Sequence, residues 1–261
     1  MERTTAGDLS ASRALLETAS GRAWGIPALL RGAAEELAAV KSQREVPNVL
    51  VVGEIYVRTE AFSNDFIAEQ LERRGIRARL EPIAEFVQYS DYIAHKNGQK
   101  RGLGDHLEKV VRERILNLCH RATGEPLGWP AHAHVPEQLA AAKDYLREEL
   151  EVESVLTIGV PVHAWRKKQI DAVVSVGPLE CMPNKIAEAQ FHHVAEKEGL
   201  LSLTLSLNGD PIDPEVLDGF AFEVHQRFRA RAKGETAEPS WTTKLGKLLP
   251  AAVPAPAPRE E

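Results

Sequence analysis

The stretch "VPNVLVVGE", Val46 to Glu54, decides the fold. Val49, Leu50, Val51 and Val52 run without a polar break and stop at Gly53. Such a run leaves no side for water, so it reads as a strand buried on both faces, the habit of a parallel sheet. Beyond it, "EIYVRTEAFSN" reads as a loop. A helical segment follows in which Phe62, Phe66, Ile67 and Leu71 share a face, ending near Gly75. "IRARLEP" reads as a second strand. Strand, helix and strand in that order imply a parallel sheet with a right-handed crossover. The expected fold class is therefore α/β, with Rossmann-like parallel sheet lobes, flanking helices and an N-terminal helical extension.

Working outward, residues 9–43 read as two helices rich in Ala, Leu and Glu, the extension of residues 1–45. The α/β region is expected over 46–232, with 46–82 and 170–232 forming the sheet around a mainly helical 83–169. Within that middle part, "GDHLEKVVRERILNLCHRA" puts Leu107, Val110, Val111, Ile115 and Leu118 along one side, and "VPEQLAAAKDYLREEL" reads as another helix. "ESVLTIGVPVHAW" is open between strand and helix, because β-branched residues favour the first while Gly159 and Pro161 interrupt it. Further on, "IDAVVSVG" is a strand, "NKIAEAQFHHVAEKEG" a helix closed by Gly199, and "LLSLTLSL" an alternating strand. Asp213 as N-cap and Pro214 at the first position open a last helix. Residues 233–261 form a Pro/Ala-rich charged tail, expected to be disordered.

Bulk properties narrow the function classes. The chain has 261 residues, 43% hydrophobic and 27% charged, the balance of an ordinary globular protein. A net charge of −6 favours neither nucleic acid nor an anionic membrane as partner. The first residues lack the apolar run of a secretory signal. Nothing approaches the roughly 18 apolar residues of a membrane span. Two cysteines, Cys119 and Cys181, are too few for a disulfide framework, so a cytoplasmic setting is expected.

Two loops follow the carboxyl ends of expected strands, "GEIYVRTEAFSND" and "GPLECMPN". Ligands of open α/β sheets bind outside such ends where neighbouring connections diverge, so both loops are candidate site walls. In the first, Glu54 and Arg58 lie beside Tyr56, Asn64 and Asp65. An Arg four residues after the Glu suits an anionic ligand; a mutual ion pair that holds the loop is the competing reading. In the second, Asn184 is expected to cap the helix starting after Pro183, with Gly177, Pro178 and Pro183 fixing the turn around Cys181 and Met182. A helix N-terminus favours thiolate, the form that ligates metal or attacks electrophiles. A thiol packed as a small apolar residue is the alternative. Cys119 reads as a core cysteine on a helix. His132 and His134, and the pair His192 and His193, lack an identifiable third metal ligand. GxGxxG, GxxxxGK[ST] and GxSxG are all missing.

"PNVLVVGEIYVRTEAFSNDFIAEQLERRGIRARLEP", "IDAVVSVGPLECMPNKIAEAQ" and "GLLSLTLSLNGDPIDPEVLDGFAFEVHQRF" together resemble the C-terminal region of large proteins related to the acyl-CoA dehydratase activases. That region is similar in fold to subunits of 2-hydroxyacyl-CoA dehydratases and benzoyl-CoA reductases. The resemblance spans roughly 46–230, and "GEIYVR…SND" and "GP..CMP" are its most specific pieces. It implies an iron–sulfur cluster and a part in ATP-driven, low-potential electron transfer to acyl-CoA dehydratase or reductase systems. On that reading Cys181 is a candidate cluster ligand, with Gly177, Pro178, Met182 and Pro183 beside it. It also turns the open "ESVLTIG" segment towards helix. Three departures matter. A cubane needs about four thiolates, the relatives' ATPase is missing, and Glu180 stands where they often have Gly. The expected partner is thus a cysteine-rich, ATPase-bearing activase-type subunit or a copy of this chain, with a shared or lost cluster. The alternative is a cluster-free Rossmann-like module that binds a small anionic ligand or scaffolds a complex.

Overall fold

A computed structural model describes residues 11–42, 44–98, 102–130 and 133–233. The described residues fall into two compact units, one drawn from 1–45 and 82–138, the other from 46–81 and 139–261. The expected tail lies outside them beyond Lys233, as does His132.

The first unit is helical. It contains α1 (Ala11–Ala19), α2 (Ile26–Val40), α5 (Ile83–Lys96) and α6 (Leu103–Leu127), with α7 (Val135–Ala142) at its boundary. Helix α2 packs along α6, held by Arg31–Glu125 at 2.6 Å and by Lys41 Nζ donating to the Leu127 carbonyl at 2.7 Å. The stripe expected on α6 is only partly covered. Leu107 and Val110 are exposed, Val111, Ile115 and Leu118 half-buried, and the fully buried positions are Ala122, Gly124 and Leu127.

The second unit carries the sheet. Its strands are β1 (Asn48–Gly53), β2 (Arg77–Leu80), β3 (Ala172–Pro178) and β4 (Leu201–Leu207). They are all parallel, in the order β2-β1-β3-β4. The run Val49–Val52 is buried on both faces, as its uniform apolar character dictates. One face, with Val49, Val51, Val174 and Val176, packs on α4 (Ile67–Arg73) and α10 (Pro214–Ala232) through Ile67, Leu71, Leu217, Phe220 and Val224. The other packs on α8 (Ser154–Arg166) and α9 (Met182–Glu198).

Several local expectations change. "IYVRT" is a short helix, α3 (Ile55–Thr59), rather than loop. Phe62 and Phe66 leave the buried face, because Asp65 and Phe66 take φ of 51° and 54° and the helical phase begins only at Ile67. "VPEQLAAAKDYLREEL" is helical only to Ala142, with a turn of 3-10 helix at Glu148–Leu150. The open "ESVLTIGVPVHAW" segment is helix α8, in which every residue from Ser154 to Val162 is buried. A helix covered on all sides has no amphipathic period, which is why its β-branched residues could pass for a strand.

The amino ends of β1 and β3 are tied by Asn48, whose N–H donates to Asp171 at 2.8 Å and whose side-chain amide donates to the Gln169 carbonyl at 2.8 Å. At the carboxyl end, Gly53 takes φ +112°, and a Cβ there would stand 2.0 Å from the Val176 carbonyl oxygen. Only a residue without a side chain lets β1 turn this close to β3. Gly53→Ala is expected to lower the unfolding free energy by about 2–4 kcal/mol, from forced strand separation and backbone strain, read from urea denaturation midpoints.

Candidate functional site

The strand order creates a divergence between β1 and β3. From β1 the chain leaves through α3 and α4 to β2, on one side; from β3 it leaves through α9 to β4, on the other. The crevice where two such connections part is the usual ligand position of a doubly wound sheet. Both loops picked out in the sequence reach this crevice.

Most polar groups of the first loop are consumed in holding it. Arg58 is 2% exposed, and its Nη1 donates to Glu81 at 2.5 Å and to the Gly53 carbonyl at 2.8 Å. The partner of Arg58 is therefore Glu81, 23 residues on, and not its neighbour Glu54. The Glu54 carboxylate caps α3, accepting from the Val57 N–H at 2.8 Å. Asn64 is buried, donating to the carbonyls of Val57 and Arg58 and accepting from the Ile67 N–H. Asp65 accepts from Gln70 and from the Ile212 N–H. Tyr56 is exposed. None of the buried side chains here presents a free charge to an incoming anion.

In the second loop, Pro178 to Cys181 form a turn closed by the Cys181 N–H on the Pro178 carbonyl at 3.1 Å. Glu180 takes φ +62° in it, a left-handed conformation that suits Gly far better. Helix α9 starts at Met182, its N-cap three residues earlier than the sequence suggests, with Pro183 inside the first turn. Its N-cap is Cys181, which makes no side-chain cap bond, and not Asn184. Asn184 is buried and accepts from Ser175 Oγ at 2.9 Å, while its Nδ2 has no partner. Gly177 makes room for it: a Cβ there would lie 2.7 Å from Asn184 Cγ and Nδ2. Cys181 is half-buried, with Leu179 and Met182 exposed beside it.

A pair of residues unmarked in the sequence joins the two loops. At the start of α8, the Ser154 hydroxyl donates to the Pro183 carbonyl at 2.6 Å. Its neighbour Glu153 lies beside the Ile55 N–H, with Oε1 3.8 Å from Arg58 Nη1 and without a hydrogen-bond partner. Burial, opposed by Arg58 and reinforced by Glu54, pushes the Glu153 carboxyl up to about 7. A lone Glu before a Ser inside a charged segment carries no signal of this role; only the packing of α8 on both loops assigns it.

The donor set for an iron–sulfur cluster is narrow. Cys181 is the cysteine of the sheet unit, and Cys119 belongs to α6 of the other unit, its thiol pKa raised by burial. His134, His192 and His193 are exposed. Among the described residues no group of three or more His, Cys, Asp or Glu side chains could hold a metal ion. With about four thiolates needed for a cubane, this chain's own residues do not fit one. Among the described residues, no helix is long and apolar enough to cross a membrane. Comparison with protein-family models, with curated proteins and with solved structures finds no match in any of the three.

Two outcomes follow from this geometry. A Glu with a raised folded-state pKa holds more protons folded than unfolded between 4.5 and about 7, so stability falls as pH rises across that window. Replacing it by a neutral isostere removes that slope. The stability of Glu153→Gln relative to wild type is expected to grow by about 1–2 kcal/mol from below to above the window, checked by urea denaturation at several pH values. Relief of the left-handed strain should make Glu180→Gly more stable than wild type by about 1 kcal/mol, seen as a raised melting temperature.

Proposed function

We propose that the chain is a cluster-free Rossmann-like module that binds a small anionic ligand between the loops after β1 and β3. It acts as one part of an activase-related assembly, and not as an enzyme alone. The observation that carries this reading is the β2-β1-β3-β4 order, whose point of divergence lies between β1 and β3 and is lined by both motif loops. Two close approaches support it. Gly53 lets β1 turn close against β3, and Gly177 makes room for the Asn184 amide, both at the carboxyl end of these strands. The motif loops support the family link, and so does Glu180, which occupies a left-handed position at the very place where the relatives often carry Gly.

Against a resident cluster stands the single thiol, Cys181, of the sheet unit. A cluster here would need most of its thiolates from a cysteine-rich, ATPase-bearing subunit or from a second copy of the chain. Anaerobic reconstitution with ferrous iron and sulfide, at protein concentrations high enough for copies to associate, separates the two readings. Wild type and Cys181→Ser are expected to end with the same low iron and sulfide content and no sulfur-to-iron absorption. A stoichiometric cluster in wild type that is lost in Cys181→Ser would overturn the proposal and make the protein a redox component.

A further inference from the structure

We propose that the N-terminus of α9, together with the side-chain amide of Asn184, is the binding point for a carboxylate group of a small acid. The inference rests on the ligand-binding reading above and gives it a chemical class and a location.

Helix α9 runs for 17 residues, and its first intrahelical bond is from the Lys185 N–H to the Cys181 carbonyl. Pro183 has no N–H, so the helix presents two orphan backbone donors, those of Met182 and Asn184, at the positive end of its dipole. Cys181, the N-cap, satisfies neither with its side chain. A helix start in this condition is ready for an acceptor.

The independent pointer is Asn184 itself. The residue is 4% exposed, its Oδ1 is taken by Ser175, and Nδ2 is left without a partner. Burying an amide donor unpaired costs about 1–3 kcal/mol. The amide stands over Gly177 at the carboxyl end of β3, in the first turn of the same helix, and only a glycine beneath leaves it that room. Three donors thus share one helix turn at the crevice. The Ser154–Pro183 bond fixes that turn against α8.

The surroundings select the charge of the ligand. The cations of the two loops and of the first turns of α9 are engaged, Arg58 by Glu81 and Lys185 by Glu188 and Ser206. Glu54, Glu153 and the exposed Glu180 are the nearby carboxyls. The helix end supplies the equivalent of about half a positive charge, enough for a singly charged carboxylate, while these carboxyls repel a doubly charged phosphate or sulfate more strongly.

Acetate, the simplest carboxylate, is titrated into the full-length 15N-labelled chain, with sulfate as the comparison. The expected result is saturable shifts of the Met182 and Asn184 backbone amides and of the Asn184 side-chain NH2, with sulfate binding weaker by about tenfold or more. Asn184→Asp keeps the size and the acceptor for Ser175 but replaces the donor by a charge, and should lose the saturable response. Its amide dispersion shows whether it is folded, and the wild-type titration stands without it. Saturable shifts confined to other residues lining the β1/β3 crevice would overturn this site and leave the ligand-binding reading in place. No saturable shift anywhere, with either anion, would overturn both.

Discussion

The buried ion pair between Arg58 and Glu81 is the constraint on which the carboxyl end of the sheet depends. Both side chains are almost wholly withdrawn from water, 2% and 1% exposed, and meet at 2.5 Å. Moving either charge inside alone costs several kcal/mol, so each is tolerated only because the other is there. Their positions make the pair a tie across the sheet. Glu81 directly follows β2, its own N–H bonded to the Val51 carbonyl, while Arg58 reaches back from α3 to the carbonyl of Gly53. The end of β1, the start of its crossover and the end of β2 are thereby fixed to one another. Asn64 extends the tie by bonding the last carbonyls of that turn and capping the helix that follows.

This arrangement explains why the first of the two motif loops is not itself the place where a ligand meets charge. In "GEIYVR…SND" the Arg, Asn and Asp are spent on folding the loop, and the Glu is spent on capping it. What remains open to a ligand comes from the second loop: backbone donors at the head of α9, one orphan amide and one thiol. The first loop supplies the wall, the second the chemistry. Glu153 and Ser154 couple them, one lying beside Arg58 and the Ile55 N–H and the other donating to Pro183. A rearrangement of either loop therefore loads the start of α8. Burial pushes the Glu153 carboxyl up to about 7, so a titration near neutrality falls at this joint.

The resemblance to the activase-related proteins and the donor chemistry of this chain pull in different directions, and the difference is physical. A sequence motif carries the turn, the glycines and the helix start, all of which are local. A cluster is a long-range object that requires several thiolates in one place. In the sheet unit the "GP..CMP" loop forms a turn and a helix start with one thiol in it. Glu180 takes a left-handed conformation in that turn, one that suits Gly better than any residue with a side chain.

The sequence by itself determined the parts governed by near neighbours and by uniform burial. Val49–Val52 could only be an inner strand of a parallel sheet, the alternation of Leu201 to Leu207 only a strand, and Asp213-Pro214 only a helix start. Tertiary structure decided what local pattern leaves open. It made α8 a helix, because a segment buried on every side shows no period. It turned Phe62 and Phe66 outward, because two left-handed residues break the phase before Ile67. It paired Arg58 with Glu81 instead of an anion, moved Asn184 from a cap to a buried amide over Gly177, and gave Glu153 its place between the loops. Each of these depends on partners far apart in the chain or hidden from it, and charge pairing and burial are settled only when the elements pack.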